Sequence, residues 1–212
     1  MTANALEYSH QPFRTAHNSK EADVPAVVQP KLDTSATVEA LLYIAEGLAA
    51  RAEAPDLHRL GHLLYLADKM HLERYGRVIS GDRFHALRYG PTPSNTYGAL
   101  KILAHRDPGL EPPATFLSMM AKAFEHVGAY RYRHLRTADL DELSLSAREC
   151  LSAVLSTSRG WDFSDLTEAT HDEAYATVWQ RSANGAMPIE VIAEHLEGGQ
   201  TLVEHLRDPF PE

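Results

Sequence analysis

Between Asp56 and Leu103 three kinds of pattern follow one another with no spacer. D-L-H-R-L-G-H-L-L-Y-L-A-D-K-M-H-L-E-R-Y sets Leu57, Leu60, Leu63, Leu64, Ala67 and Met70 on one helical face. Pro55-Asp56 opens that helix, and Gly76 suits the left-handed turn that closes it. From Arg77 to Tyr89 the helical period is lost. Val78-Ile79 and Phe84 to Tyr89 flank Ser80-Gly81-Asp82-Arg83, which predicts a small β-hairpin turning at those four residues. Gly90-Pro91-Thr92-Pro93 reads as a second turn, with Thr92 and Pro93 as N-cap and first residue of a helix burying Tyr97, Leu100, Leu103 and Ala104. Helix, hairpin and helix so closely joined must pack as one module.

The flanking sequence is mostly helical in pattern. Val38, Leu41, Leu42, Ala45 and Leu48 follow a Thr34-Ser35 pair able to cap. Phe116 to Val127 reads as a helix, and Ala129 to Leu135 alternates, with Tyr130, Tyr132 and His134 opposite Arg131 and Arg133. That alternation predicts a strand joining the hairpin, because two strands alone are marginal in water. Ser144 or Ser146 caps a helix with Ala147, Leu151, Val154 and Leu155 inward; Gly160 closes it. Phe163 to Ala169 makes a short helix. Thr170 is then the expected cap of a helix placing Ala174, Tyr175, Val178 and Trp179 inside, and Pro188 opens a last stretch weakened at Gly198-Gly199. The fold class is mainly α: a compact multi-helix single domain with a small antiparallel β-hairpin or three-stranded β element. Residues 1–33, with Pro12, Pro25 and Pro30 and no period, read as a flexible arm. Residues 34–207 form the domain and 208–212 a tail.

Composition narrows the function classes. A net charge of -9 with His neutral makes nucleic acid an unsuitable generic partner and suits a basic protein surface. No apolar run reaches a membrane span, and the N-terminus lacks a basic-then-apolar signal. With Cys150 the one cysteine, there is neither an internal disulfide nor a Cys-based zinc site, and the cytoplasm is the expected compartment. Cys150 itself reads as a buried small hydrophobe.

His58 and His62 stand four apart, a spacing that places two imidazoles on one metal ion; His85 or His171 could complete a hydrolase site. Arg59 stands where a zinc protease of the H-E-x-x-H type needs Glu, which favours a solvated or contact pair. His58, His62, Tyr65 and Lys69 form a polar stripe along the helix, either a solvated edge or the border of a recognition surface. Asp172 and Glu173 complement the positive end of a helix dipole. No nucleophile elbow, phosphate-cradling loop or dinucleotide fingerprint occurs, so the expected protein is not an enzyme and needs no cofactor.

L-L-Y-L-A-D-K-M-H-L, then Y-G-R-V-I-S-G-D-R-F-H-A-L-R-Y-G-P-T-P-S-N-T-Y, resembles the core signature of the Panacea domain, the SocA-like antitoxin domain. L-S-L-S-A-R-E-C-L-S-A-V-L and F-S-D-L-T-E-A-T-H-D-E-A-Y resemble its later motifs, extending the similarity from roughly Val38 to Gln180. Leu63, Leu64, Tyr65, Ala67 and Asp68 match the helix motif. Gly81, Asp82, Phe84, Ala86, Tyr89, Gly90, Pro91 and Tyr97 match the hairpin and turn; Thr170 and His171 match the later one. Tyr175 departs from a frequent Trp, and His62 from a common Lys. The resemblance implies an antitoxin that neutralises a toxin, encoded by an adjacent gene, through direct protein contact without a cofactor. Expected contact residues are His58, His62, Tyr65, Lys69, Arg83, His85, Arg88 and Tyr89. A metal-dependent hydrolase or a proteolysis adaptor is the alternative, and homo-oligomers are possible.

Overall fold

The computed structural model describes residues 29–207. Most of the expected N-terminal arm, and the C-terminal tail, lie outside the described residues. Residues 29–33 do not behave as a free arm: Asp33 N donates to the Ser80 carbonyl at 2.8 Å, and Gln29 reaches Glu190.

Helix α1 (Thr34–Ala49) is capped by Asp33, whose carboxylate accepts from Ala36 N. The Thr34-Ser35 pair expected to cap lies one step inside. Helix α2 (Leu57–Tyr75) is capped by Asp56 and ends at Gly76, with φ 67°. Leu57, His58, Leu60, Gly61, His62, Leu63, Leu64, Tyr65, Ala67, Asp68, His71 and Leu72 are all buried. A helix covered on nearly every side is a central strut, not an amphipathic surface element. One side meets α1 and helix α5 (Leu145–Thr157) in a core of Leu41, Leu48, Leu60, Leu64, Phe116, Leu151 and their neighbours. Tyr65 and Leu72 on the other side join Phe84, Tyr175, Ile192 and Val203 in a second cluster.

The hairpin exists, but one step later in sequence than the pattern suggests. Strand β1 (Phe84–Leu87) pairs antiparallel with β2 (Gly90–Pro93), so Arg88-Tyr89 form the tip and Gly90-Pro91-Thr92-Pro93, expected as a turn, is a strand. The four residues expected as the turn are drawn inward by a carboxylate of α2. Helix α3 (Ser94–Leu103) follows at once, with no side-chain cap from Pro93. Tyr97 and Leu103 are only partly covered there, whereas Thr96, Ala99, Leu100 and Lys101 are buried.

Helix α4 (Ala114–Ala123) runs directly into β3 (Phe124–His126), ending earlier than the expected Val127. β3 pairs with β4 (Tyr132–His134), so the alternating segment does not join the hairpin. The hairpin's third strand is β5 (Ala186–Met187), giving the order β2-β1-β5. Tyr132 still points inward, with its hydroxyl donating to the Leu100 carbonyl.

Ser144 caps α5, while Ser146 bonds His71 instead. Helix α6 (Phe163–Thr170) carries an Asp162/Asp165 capping box, and Asp172, not Thr170, caps α7 (Glu173–Arg181). Thr170 is the last residue of α6. Helices α8 (Ile189–Glu194) and α9 (Gly199–Arg207) complete a mainly α structure, with nine α-helices and two small sheets among the described residues.

Candidate functional site

Two constructions meet around the hairpin. The first holds its base. Asp68, inside α2, accepts from Ile79 N at 2.7 Å, Ser80 N at 2.9 Å and the Ser80 hydroxyl. Burial drives its carboxyl up to about 6, even though these donors and the nearby amides pull the other way. Asp82 accepts from Asn95 N, Asn95 Nδ2, Thr96 N and Thr96 Oγ1, all between 2.9 and 3.0 Å. It therefore does for the start of α3 what an N-cap side chain does, from twelve residues upstream of Ser94. Gly81 sits between the two carboxylates at φ +62°, and a Cβ there would lie 2.0 Å from the Lys31 carbonyl oxygen. Only glycine fits.

The second construction is the polar stripe of α2, which is not exposed. His58 and His62 are 6% and 3% exposed, and Tyr65 is fully buried. α6 and its corner with α7 cover them. His58 Nε2 is 3.1 Å from Thr167 Oγ1, and His62 Nδ1 is 2.8 Å from Thr170 Oγ1. Thr170 Oγ1 itself donates to the Leu166 carbonyl, so it accepts from the His62 ring. Tyr65 and Lys69 both donate to Asp172, at 2.8 and 2.7 Å, tying α2 to the cap of α7. Gly90, at φ +119°, leaves room for the His62 ring: a Cβ would come within 2.6 Å of it. Four of the eight expected contact residues thus hold α6 and α7 in place.

The two imidazoles lie 3.9 Å apart between ring centroids. Burial, with the Arg59 charge beside it, lowers His58 to about 4; burial also holds His62 well below its ordinary value. Both are neutral at pH 7. His85 bonds Ser94 Oγ, and burial with Arg83 nearby takes it to about 4. His171 stacks on Tyr175 at 4.2 Å and is exposed. Among the described residues no group of three or more His, Cys, Asp or Glu is placed to hold a metal ion.

The other four expected contact residues are at or near the surface. Arg83 and Arg88 are exposed, while His85 and Tyr89 are partly covered. Arg88 lies over the Tyr89 ring, 5.4 Å from its centroid; Tyr89 meets Phe163 edge-on at 5.5 Å, and Phe163 stacks on His58 at 4.0 Å. The hairpin tip is thereby docked on α6 through aromatic contacts. Beside it opens a cleft of about 550 Å³ whose lining includes Leu57, Leu87, Tyr97, Leu100, Lys101 and Trp179. Sequence reasoning missed Lys101 and Phe163 as parts of this site. A lone charge between Leu100 and Ile102, four residues after Tyr97, was the available signal.

Of the expected motif residues, Asp82, Phe84, Gly90, Pro91 and Thr170 lie inside, and Gly81 lines the buried loop. Cys150 is buried and free, with burial raising its thiol further.

The arrangement defines an α-rich domain whose buried carboxylates and histidines brace a hairpin with an arginine-bearing aromatic tip. The chain belongs to the antitoxin SocA-like, Panacea domain family, whose model matches residues 60–180, from α2 to the end of α7's second turn. Neither a curated protein nor a solved structure matches it. No helix of the described residues is long and apolar enough to cross a membrane.

Proposed function

We propose that this protein is an antitoxin that neutralises a cognate toxin, encoded by a neighbouring gene, by direct protein–protein binding and without catalysis. Membership of the antitoxin family over residues 60–180 carries the reading. The geometry supports it in one respect. The hairpin sets Arg88 and the Tyr89 ring at its tip and a second exposed arginine, Arg83, where β1 begins, on a base rigidified by Asp68 and Asp82. Arg and aromatic side chains on a preorganised support are the residue types that anchor protein interfaces. In this reading Arg83, His85, Arg88 and Tyr89 touch the toxin, and His58, His62, Tyr65 and Lys69 act from behind by holding the surface in shape.

Co-expression with the neighbouring gene tests it. That gene should arrest growth alone, be tolerated with this chain, and yield a product that co-purifies with it. An R83E/R88E double variant should fold normally yet fail to rescue. If the neighbour is harmless, or its product does not co-purify, the reading is wrong. Rescue accompanied by disappearance of the toxin protein would assign delivery to a protease instead of blockade.

A further inference from the structure

The cleft beside the hairpin has features that a docking tip does not need. It has about 550 Å³ of space, within the range of small-molecule sites, and Leu57, Leu87, Pro93 and Leu100 give it apolar walls. Tyr97 and Trp179 add flat aromatic faces. Into this lining comes Lys101, only 8% exposed. Its amine makes no ion pair or hydrogen bond among the described residues and lies 5.2 Å from the Tyr97 ring centroid. An ammonium taken out of water without a counter-charge in contact is costly: burial pulls Lys101 below its ordinary value, and the Asp107 carboxylate nearby offsets only part of that.

We infer that the cleft binds a small aromatic or branched apolar monocarboxylate, with the carboxylate against Lys101 Nζ and the apolar body between Tyr97, Leu100 and Trp179. Such a ligand brings a carboxylate into contact with the amine and fills the apolar walls together. The single charge follows from the surroundings. Lys101, Arg88 and Asp107 line the cleft together, two cations and one anion, so a single ligand carboxylate balances the lining. His58 and His62 are held neutral against Thr167 and Thr170 and add no further cation. The cleft shares Arg88 and Tyr89 with the toxin reading, but the ligand is placed on Lys101, which that reading does not use.

Calorimetric titration of the full chain with 4-phenylbutyrate and with 4-phenylbutanol, which share the same apolar body, tests the inference. The acid should bind at least about tenfold more tightly than the alcohol, the size of a charge-assisted contact. Lys101→Met should remove that preference while retaining weak binding of both, with an unchanged circular dichroism spectrum. Equal affinities for acid and alcohol in the unaltered protein, or no binding of either at about 1 mM, would overturn it. So would a folded K101M variant that keeps the preference. The acid–alcohol comparison needs no variant, so it remains decisive even if K101M fails to fold. Loss of toxin binding with intact binding of 4-phenylbutyrate would sink the antitoxin reading alone.

Discussion

The loop beneath the hairpin and the cleft beside it are built on opposite principles. Around Asp68 and Asp82 every carboxylate oxygen meets a donor, and five backbone amides are satisfied by two side chains. Along the cleft, apolar walls surround the Lys101 amine, with no carboxylate in contact among the described residues. The first region has its polar atoms paired within the fold; the second leaves Lys101 Nζ without a hydrogen-bond or ion-pair partner among the described residues. The first region reports how the hairpin is held.

The contrast is broken most directly at Asp68. Asp68→Ala leaves two buried amides and a hydroxyl without an acceptor and should cost about 3–5 kcal/mol in urea unfolding, since each orphaned buried donor costs about 1–3. A loss below about 1 kcal/mol would show that the loop is held by something else. Next comes Gly81→Ala, expected to cost about 2–3 kcal/mol from the left-handed backbone and the collision with the Lys31 carbonyl. Its thermal midpoint should drop accordingly, and residues 29–33 should become accessible to protease, because Lys31 must move. The corresponding change at Gly160, also at positive φ but with open space around it, should cost only the backbone share.

These two positions also show what was legible in the chain. Gly81 announces an unusual backbone, and reading it as a hairpin turn was reasonable from local pattern. What local pattern lacks is Asp68, eleven residues before Ile79, whose carboxylate captures the Ile79 and Ser80 amides and turns the segment inward. The hairpin then forms from the next available extended residues, across Arg88-Tyr89. Thr170 fails as a cap for a similar reason. The buried His62 ring occupies its hydroxyl, and Asp172 takes over the role at the true helix start. β5 is two residues long, too short for any period, so the alternating Tyr130–His134 segment looked like the better third strand. The apolar faces of α1, α2 and α5 were plain, because burial there depends on spacing alone. The α2 stripe looked like surface because it is polar, and it is inside because α6 brings threonines to meet it.

Acid separates the same two regions by sign. His58 is lowered in the folded protein to about 4 from 6.5, so its contribution is present above pH 6.5 and lost as pH falls toward 4. Asp68 is raised to about 6 from 3.8, so its contribution runs the other way: present below 3.8 and lost as pH rises through 6. Between pH 7 and 5 the histidine side should dominate, with His62 and the partly buried His71 adding to it. His58→Gln should shrink the stability difference between pH 7 and pH 5 by about 2 kcal/mol, at up to about 1.4 per pH unit for one proton. An unchanged difference would mean that the His58 ring is hydrated and titrates normally.

The smallest effect on the fold is expected at the tip, and it sharpens the comparison most. Arg88 is exposed, and its guanidinium lies over the Tyr89 ring. Arg88→Ala should therefore shift unfolding by no more than about 0.5 kcal/mol, as for surface positions generally. If the tip meets the toxin, the same variant should weaken co-purification by tenfold or more, the cost of an interface anchor. A residue that is nearly silent in unfolding but decisive in binding would be the counterpart of Asp68, which should be decisive in unfolding and reach binding only through the fold. Equal losses in both assays at Arg88 would instead make the tip part of the structural frame, and the partner surface would have to be sought on another face.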